Sequence, residues 1–100
     1  MSSFPGPIAI HGDSVQLTTD TTSLTITGTI TSQGVVRDGR GIVELTLPDA
    51  DPQQRRTLEW AKWFRYELCR DGARLYASPR LALSETRRAS DGALVVAGSP

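Results

Sequence analysis

The sequence predicts an α+β fold: an antiparallel sheet of about five to seven strands, made of two N-terminal hairpins and C-terminal strands, covered on one face by a single amphipathic helix at about 52–71. Three observations predict it. Leu24, Ile26, Gly28 and Ile30 alternate with Thr25, Thr27, Thr29 and Thr31, the period-two pattern of a strand that is wet on one side. Asp38-Gly39, the dipeptide favoured in type I′ turns, stands between two such runs. Asp51, Pro52 and Gln54 hold the spacing of an N-cap, a first-position proline and a capping-box partner, which opens a helix.

A chain of 100 residues fits one domain over 1–100, with loose ends at 1–6 and 98–100. Hydrophobic residues make up 38% and charged residues of both signs 22%, a mixture that excludes wholesale disorder. The longest apolar run is five residues, Ala93 to Ala97, so nothing here is expected to span or target a membrane. Cys69 is the single cysteine, which excludes an internal disulfide and suits a reducing cytoplasm.

The first unit is Ile8 to Thr18, where Gly12-Asp13 predicts a two-residue turn that sets Ile10 against Val15 and Ile8 against Leu17. Asp20 to Thr22 is a polar break. The second hairpin turns at Asp38-Gly39, pairing Val36 with Gly41, Gly34 with Val43, Ser32 with Leu45 and Ile30 with Leu47; a bulge at Gly34 would shift that register by one.

The helix follows. At 100° per residue, Leu58, Trp60, Ala61, Phe64, Leu68 and Cys69 share one broad arc, with Glu59, Lys62 and Tyr66 opposite, and Arg70 and Gly72 supply a conventional stop. Beyond it, Arg74 to Ala77, Arg80 to Ser84 and Leu94 to Ala97 read as strands. Pairing Leu83 with Leu94 and Leu81 with Val96 keeps the apolar side chains on one face and leaves a long polar loop from Glu85 to Gly92. The hairpin, helix, hairpin order resembles β-grasp arrangements in topology, with no sequence motif behind the resemblance.

Few residues suggest chemistry. His11 beside Asp13 has the makings of a carboxylate-oriented base or a metal ligand, but one histidine and one acid form no recognised ligand set. Cys69 precedes Arg70, which would favour a thiolate if both were exposed; core packing is the plainer fate of a lone cysteine. Gly39-Arg40-Gly41 lacks the spacing of a phosphate-binding loop. No catalytic residue, metal or cofactor is therefore assigned.

Charge is polarised along the chain. Residues 1–50 carry five acids against Arg37 and Arg40, whereas 51–100 carry nine bases against six acids, so the net charge is zero. The basic residues between Arg55 and Arg88, with an aromatic for stacking, allow a nucleic-acid reading that the overall neutrality disfavours. Four of the six aromatics crowd residues 60–66. Trp63 projects beyond the core arc beside Arg56, Glu59, Tyr66 and Glu67, and a tryptophan ringed by charges resembles the anchor of a protein contact. The leading expectation is thus a non-enzymatic interaction or assembly module, meeting a protein partner or a second copy through the Trp63 side of the helix or an exposed strand edge. The alternatives are nucleic-acid binding through Arg55 to Arg88, and a small enzyme or ligand-binding domain using His11 with Asp13, or Cys69.

Overall fold

A computed structural model describes residues 9–100. Its elements, in chain order, are β1 (Ala9–Thr19), β2 (Ser23–Arg37), β3 (Arg40–Leu47), α1 (Pro52–Glu59), β4 (Trp63–Arg70), β5 (Ala73–Ala77), β6 (Leu81–Arg88) and β7 (Leu94–Ser99). The class is α+β, a seven-stranded antiparallel sheet with one helix.

The sheet closes on itself. Its order is β1-β2-β3-β7-β6-β4-β5, and β1 also pairs with β4, so six strands form a ring from which β5 projects as an extra strand on β4. The closing seam runs from Ser14 opposite Cys69 to Thr19 opposite Phe64. Side chains alternate across each strand, so one side of a closed sheet becomes an enclosed interior. Val15 and Leu17, Ile26 and Ile30, Val43, Leu45 and Leu47, Phe64, Tyr66 and Leu68, Leu81, Leu94 and Val96 all point into it and are buried. Thr25, Thr27 and Thr29 stay exposed on the outer side of β2, the solvent face that the alternation predicts.

The first predicted hairpin does not form. Gly12-Asp13 lies instead inside the continuous strand β1, where a bulge sets Asp13 against both Gly28 and Thr29 of β2, and the turn falls at Asp20 to Thr22, where Thr19 Oγ1 accepts hydrogen bonds from the Thr21 and Thr22 N–H groups at 3.2 and 3.1 Å. The bulge lies where β4 joins. Before it β1 pairs with β2 alone, and from Ser14 onward it pairs with both neighbours. Ile8 lies outside the described residues, as does the segment 1–6.

The second hairpin turns where the sequence places it. Asp38 and Gly39 both have positive φ, at 55° and 75°, and the Val36–Gly41, Gly34–Val43 and Ser32–Leu45 pairs form without a bulge at Gly34.

The helix begins as predicted and ends far earlier. Asp51 Oδ1 accepts from the Gln54 N–H at 2.8 Å, and Gln54 Oε1 accepts from the Asp51 N–H at 3.0 Å, which completes the capping box. Yet α1 stops at Glu59, and Trp63–Arg70 is a strand rather than helical turns. Phe64, Tyr66 and Leu68 face the interior at period two, while Arg65 and Glu67 lie on the outer side. Hydrogen bonding to both β1 and β6 is available to this segment only when extended, and Trp, Phe and Tyr suit a strand at least as well as a helix. Asp71-Gly72 is therefore a second type I′-like turn, with φ of 53° and 79°, rather than a helix stop.

Two further expectations are corrected. Leu83 pairs with Gly98 and Arg88 with Leu94, so the loop between β6 and β7 is short and closes with Gly92 N–H donating to the Ala89 carbonyl. Gly98 and Ser99 belong to β7 rather than to a loose end.

The helix covers the open end of the interior instead of lying across an open sheet in the β-grasp manner. Its single buried side chain, Leu58, joins the core, and its flanks are tied to surrounding strand ends. Arg55 donates to the Gly92 carbonyl at 2.7 Å, and the Lys62 N–H, just beyond the helix, donates to Asp20 Oδ1 at 3.0 Å. No helix among the described residues is long and apolar enough to cross a membrane.

Closure places β4 against Gly12. A Cβ there would sit 2.6 Å from both the Cys69 carbonyl oxygen and Leu68 Cδ1, inside van der Waals contact. Gly12→Ala is therefore expected to lower stability by about 1–3 kcal/mol, read as a lower urea midpoint with an unchanged slope. A midpoint equal to that of the parent would show that the seam has room for a methyl group.

Candidate functional site

The residues expected to form one helical flank are dispersed. Arg56 and Glu59 remain on α1 and are exposed, whereas Trp63, Tyr66 and Glu67 lie on β4. Tyr66, expected on the polar side, is among the largest fully buried side chains. It shares a short hydrogen bond with the Ser32 hydroxyl and packs near Phe64 and Tyr76, with ring centroids 6.2 and 5.8 Å away. Burial pushes its hydroxyl up to about 12, opposed by the Ser32 hydrogen bond and helped by Tyr76. It holds the core together and offers no contact surface.

The two tryptophans exchange the places that the helical arc gives them. Trp63 is half-buried on the outside of β4, with the Arg80 guanidinium 4.1 Å from its ring centroid. Trp60, expected in the core, is 80% exposed. It is the C-cap of α1, held by its own N–H to the Arg56 carbonyl and by the Ala61 N–H to the Leu58 carbonyl, between the buried residues Leu58 and Ala61. The ring is thus presented to solvent by a fixed backbone.

Beside it is a cleft of about 180 Å³ between α1 and the adjoining ends of β6 and β7, lined by Arg55, Glu59, Thr86, Arg87, Arg88 and Leu94. Arg55 is fixed by its Nε–H to the Ala50 carbonyl at 3.0 Å and its Nη2 group to Gly92. Arg87 crosses the outer face of β7 to reach Glu44, with Nη2 donating to Oε2 at 2.9 Å, and lies 3.8 Å from Glu85. Arg88 has no hydrogen-bond or ion-pair partner among the described residues. A second groove, of about 230 Å³, lies on the outer face, where Arg65 and Glu67 offset each other beside Gln16, Thr18 and Ser78.

The pairs considered for chemistry separate. The Thr31 hydroxyl lies 3.1 Å from His11 Nδ1, whereas Asp13 Oδ2 accepts from the Asp71 N–H at 3.0 Å and so braces the turn between β4 and β5. Cys69 is a half-buried residue of the closing seam. Among the described residues no three of histidine, cysteine, aspartate and glutamate are grouped to hold a metal ion. Sequence reasoning passed over Trp60, whose exposure depends on a helix end that no glycine or proline marks, and over the meeting of Arg55 with Arg87 and Arg88, which depends on tertiary packing.

Comparison with protein-family models, with curated proteins and with solved structures finds no match.

Tyr66 yields a pH signature. With a value of about 12 folded and about 10 unfolded, its neutral form contributes fully below pH 10 and that contribution is lost as pH rises from 10 through 12. Tyr66→Phe removes both the hydrogen bond and the titration. Parent stability should exceed that of the variant by about 1 kcal/mol at pH 8, and the gap should close by about pH 11 in urea titrations. A constant gap across that range would contradict the assignment.

Proposed function

We propose that the protein is a non-enzymatic interaction module that meets a protein partner through the C-terminal end of α1, with Trp60 as the anchor. One observation carries the reading: a tryptophan that is 80% exposed on an otherwise well-anchored helix end. Solvating so large an apolar ring is unfavourable, and buried tryptophans dominate the energetics of protein contacts. The contact element thus moves from Trp63, which is already engaged by Arg80, to Trp60.

The strand-edge version is weaker. The outer edge of β5 is five residues long, carries the exposed Arg74, and has Leu75 as the extra residue of a bulge between the Leu68–Tyr76 and Cys69–Arg74 pairs. Short length, charge and a bulge are the devices by which proteins discourage edge pairing. Nucleic-acid binding is also disfavoured, because the arginines do not form a continuous basic track: Arg55, Arg74, Arg80 and Arg87 are engaged within the fold. The lone cysteine suits a reducing cytosol.

The test compares the parent protein, Trp60→Ala and Trp63→Ala as baits for partner capture, with sedimentation velocity to detect self-association. Trp60→Ala should keep its stability to within about 0.5 kcal/mol, as surface changes do, and weaken capture by 2 kcal/mol or more, about thirtyfold. Trp63→Ala should lose stability instead. Identical capture and sedimentation by parent and Trp60→Ala would remove the proposal.

A further inference from the structure

We infer that the cleft between α1 and β6 is a receptor for the carboxylates of an acidic peptide segment. This deepens the interaction reading and rests on it for the identity of the ligand as part of a protein. The lining carries Arg55, Arg87 and Arg88 against the single acid Glu59. One of the three guanidinium groups is preorganised on the α1 side by bonds that leave a donor over. Arg55 uses Nε and Nη2 on the Ala50 and Gly92 carbonyls, whereas the Arg87 head group reaches across β7 to Glu44, with Nε near Glu85. Arg55 Nη1 has no partner among the described residues, and the whole Arg88 head group is unengaged. A guanidinium already held in place loses little freedom on accepting a carboxylate, and its planar fork matches that group.

The surroundings favour a peptide over other anions. β6 pairs with β4 only at Leu81 and Ala82, so along Thr86 to Arg88 its edge borders the cleft and α1 rather than another strand, and an extended segment can lie there. Leu94 contributes an apolar surface, and Glu59 is an acceptor for a peptide N–H, which inorganic phosphate cannot supply. Arg56 and Trp60 form the next stripe of the helix, about 100° round from the cleft-lining Arg55 and Glu59. A polynucleotide needs a basic track with several stacking rings; here one exposed tryptophan adjoins a cleft of about 180 Å³.

The probe is a fluorescein-labelled hexapeptide of alternating glutamate and leucine, followed by anisotropy at about 50 mM salt, where surface charges are weakly screened. Unlabelled oligouridylate and inorganic phosphate serve as competitors. Arg88→Glu reverses the one cleft arginine that has no structural partner, and Arg70→Glu makes the same change at the opposite end of β4. The peptide should bind the parent, lose about tenfold in affinity with Arg88→Glu and less than about twofold with Arg70→Glu, and resist both competitors. Absence of binding, equal losses in the two variants, or displacement by oligouridylate or phosphate at peptide-like concentrations would overturn the inference. The two readings fail separately. Trp60-dependent capture without peptide binding rejects the cleft alone, whereas Arg88-dependent peptide binding with capture indifferent to Trp60→Ala keeps the cleft and rejects Trp60 as the anchor.

Discussion

Pairing of β1 with β4 is the constraint on which the rest of the structure depends. Without those contacts the sheet would be an open ribbon with two long edges, and its inward side chains would need a separate layer to cover them. With them, the inward residues of six strands converge on one another, and a chain with only 38% hydrophobic residues obtains a core that includes the fully buried Tyr66, Phe64 and Leu17. The seam has two requirements. β4 must be extended from its start, and β1 must present a residue without a side chain where the Cys69 carbonyl approaches, which is the place of Gly12.

Those requirements explain what could be read from the sequence. Local signals were legible: the alternation over Leu24 to Ile30, the I′ turn at Asp38-Gly39, and the capping box of Asp51 and Gln54 each act within a few residues. The remainder depends on distant partners. Leu58, Ala61, Phe64 and Leu68 fit a helical stripe, and all four are indeed buried, but Phe64, Tyr66 and Leu68 fit a strand equally well. Only the presence of β1 and β6 on either side decides between the two periods. Asp71-Gly72 has the same composition as Asp38-Gly39 and the same positive φ angles, so a hairpin signal was present and was outweighed by the apparent helix before it.

The candidate site was less legible for a related reason. Shortening the helix by more than half sends Tyr66 inward and Glu67 to the outer groove, and it turns Trp60 from an interior position on a long helix into an exposed cap on a short one. Exposure here follows from an element boundary. Nothing between Glu59 and Lys62 breaks helices by composition, so the boundary is set by closure of the ring, and the solvent-facing tryptophan follows from the same closure that organises the core.

Arginine usage shows why composition alone was a poor guide to partners. Ten arginines in a chain of zero net charge suggest neither a basic binder nor an inert surface. Their allocation is informative: Arg80 covers Trp63, Arg55 ties α1 to the turn before β7, and Arg87 bridges the outer face of β7 to the buried Glu44. Each does structural work that a count would credit to electrostatic attraction. At the helix-covered end, however, Arg55 braces the fold with two donors and retains Nη1 beside a cleft where Arg88 is unengaged. Bracing and binding are compatible in a guanidinium because it has several donors, and satisfying some of them fixes the direction of the others. The same bonds that fasten the helix to the ring thereby order the charges beside Trp60.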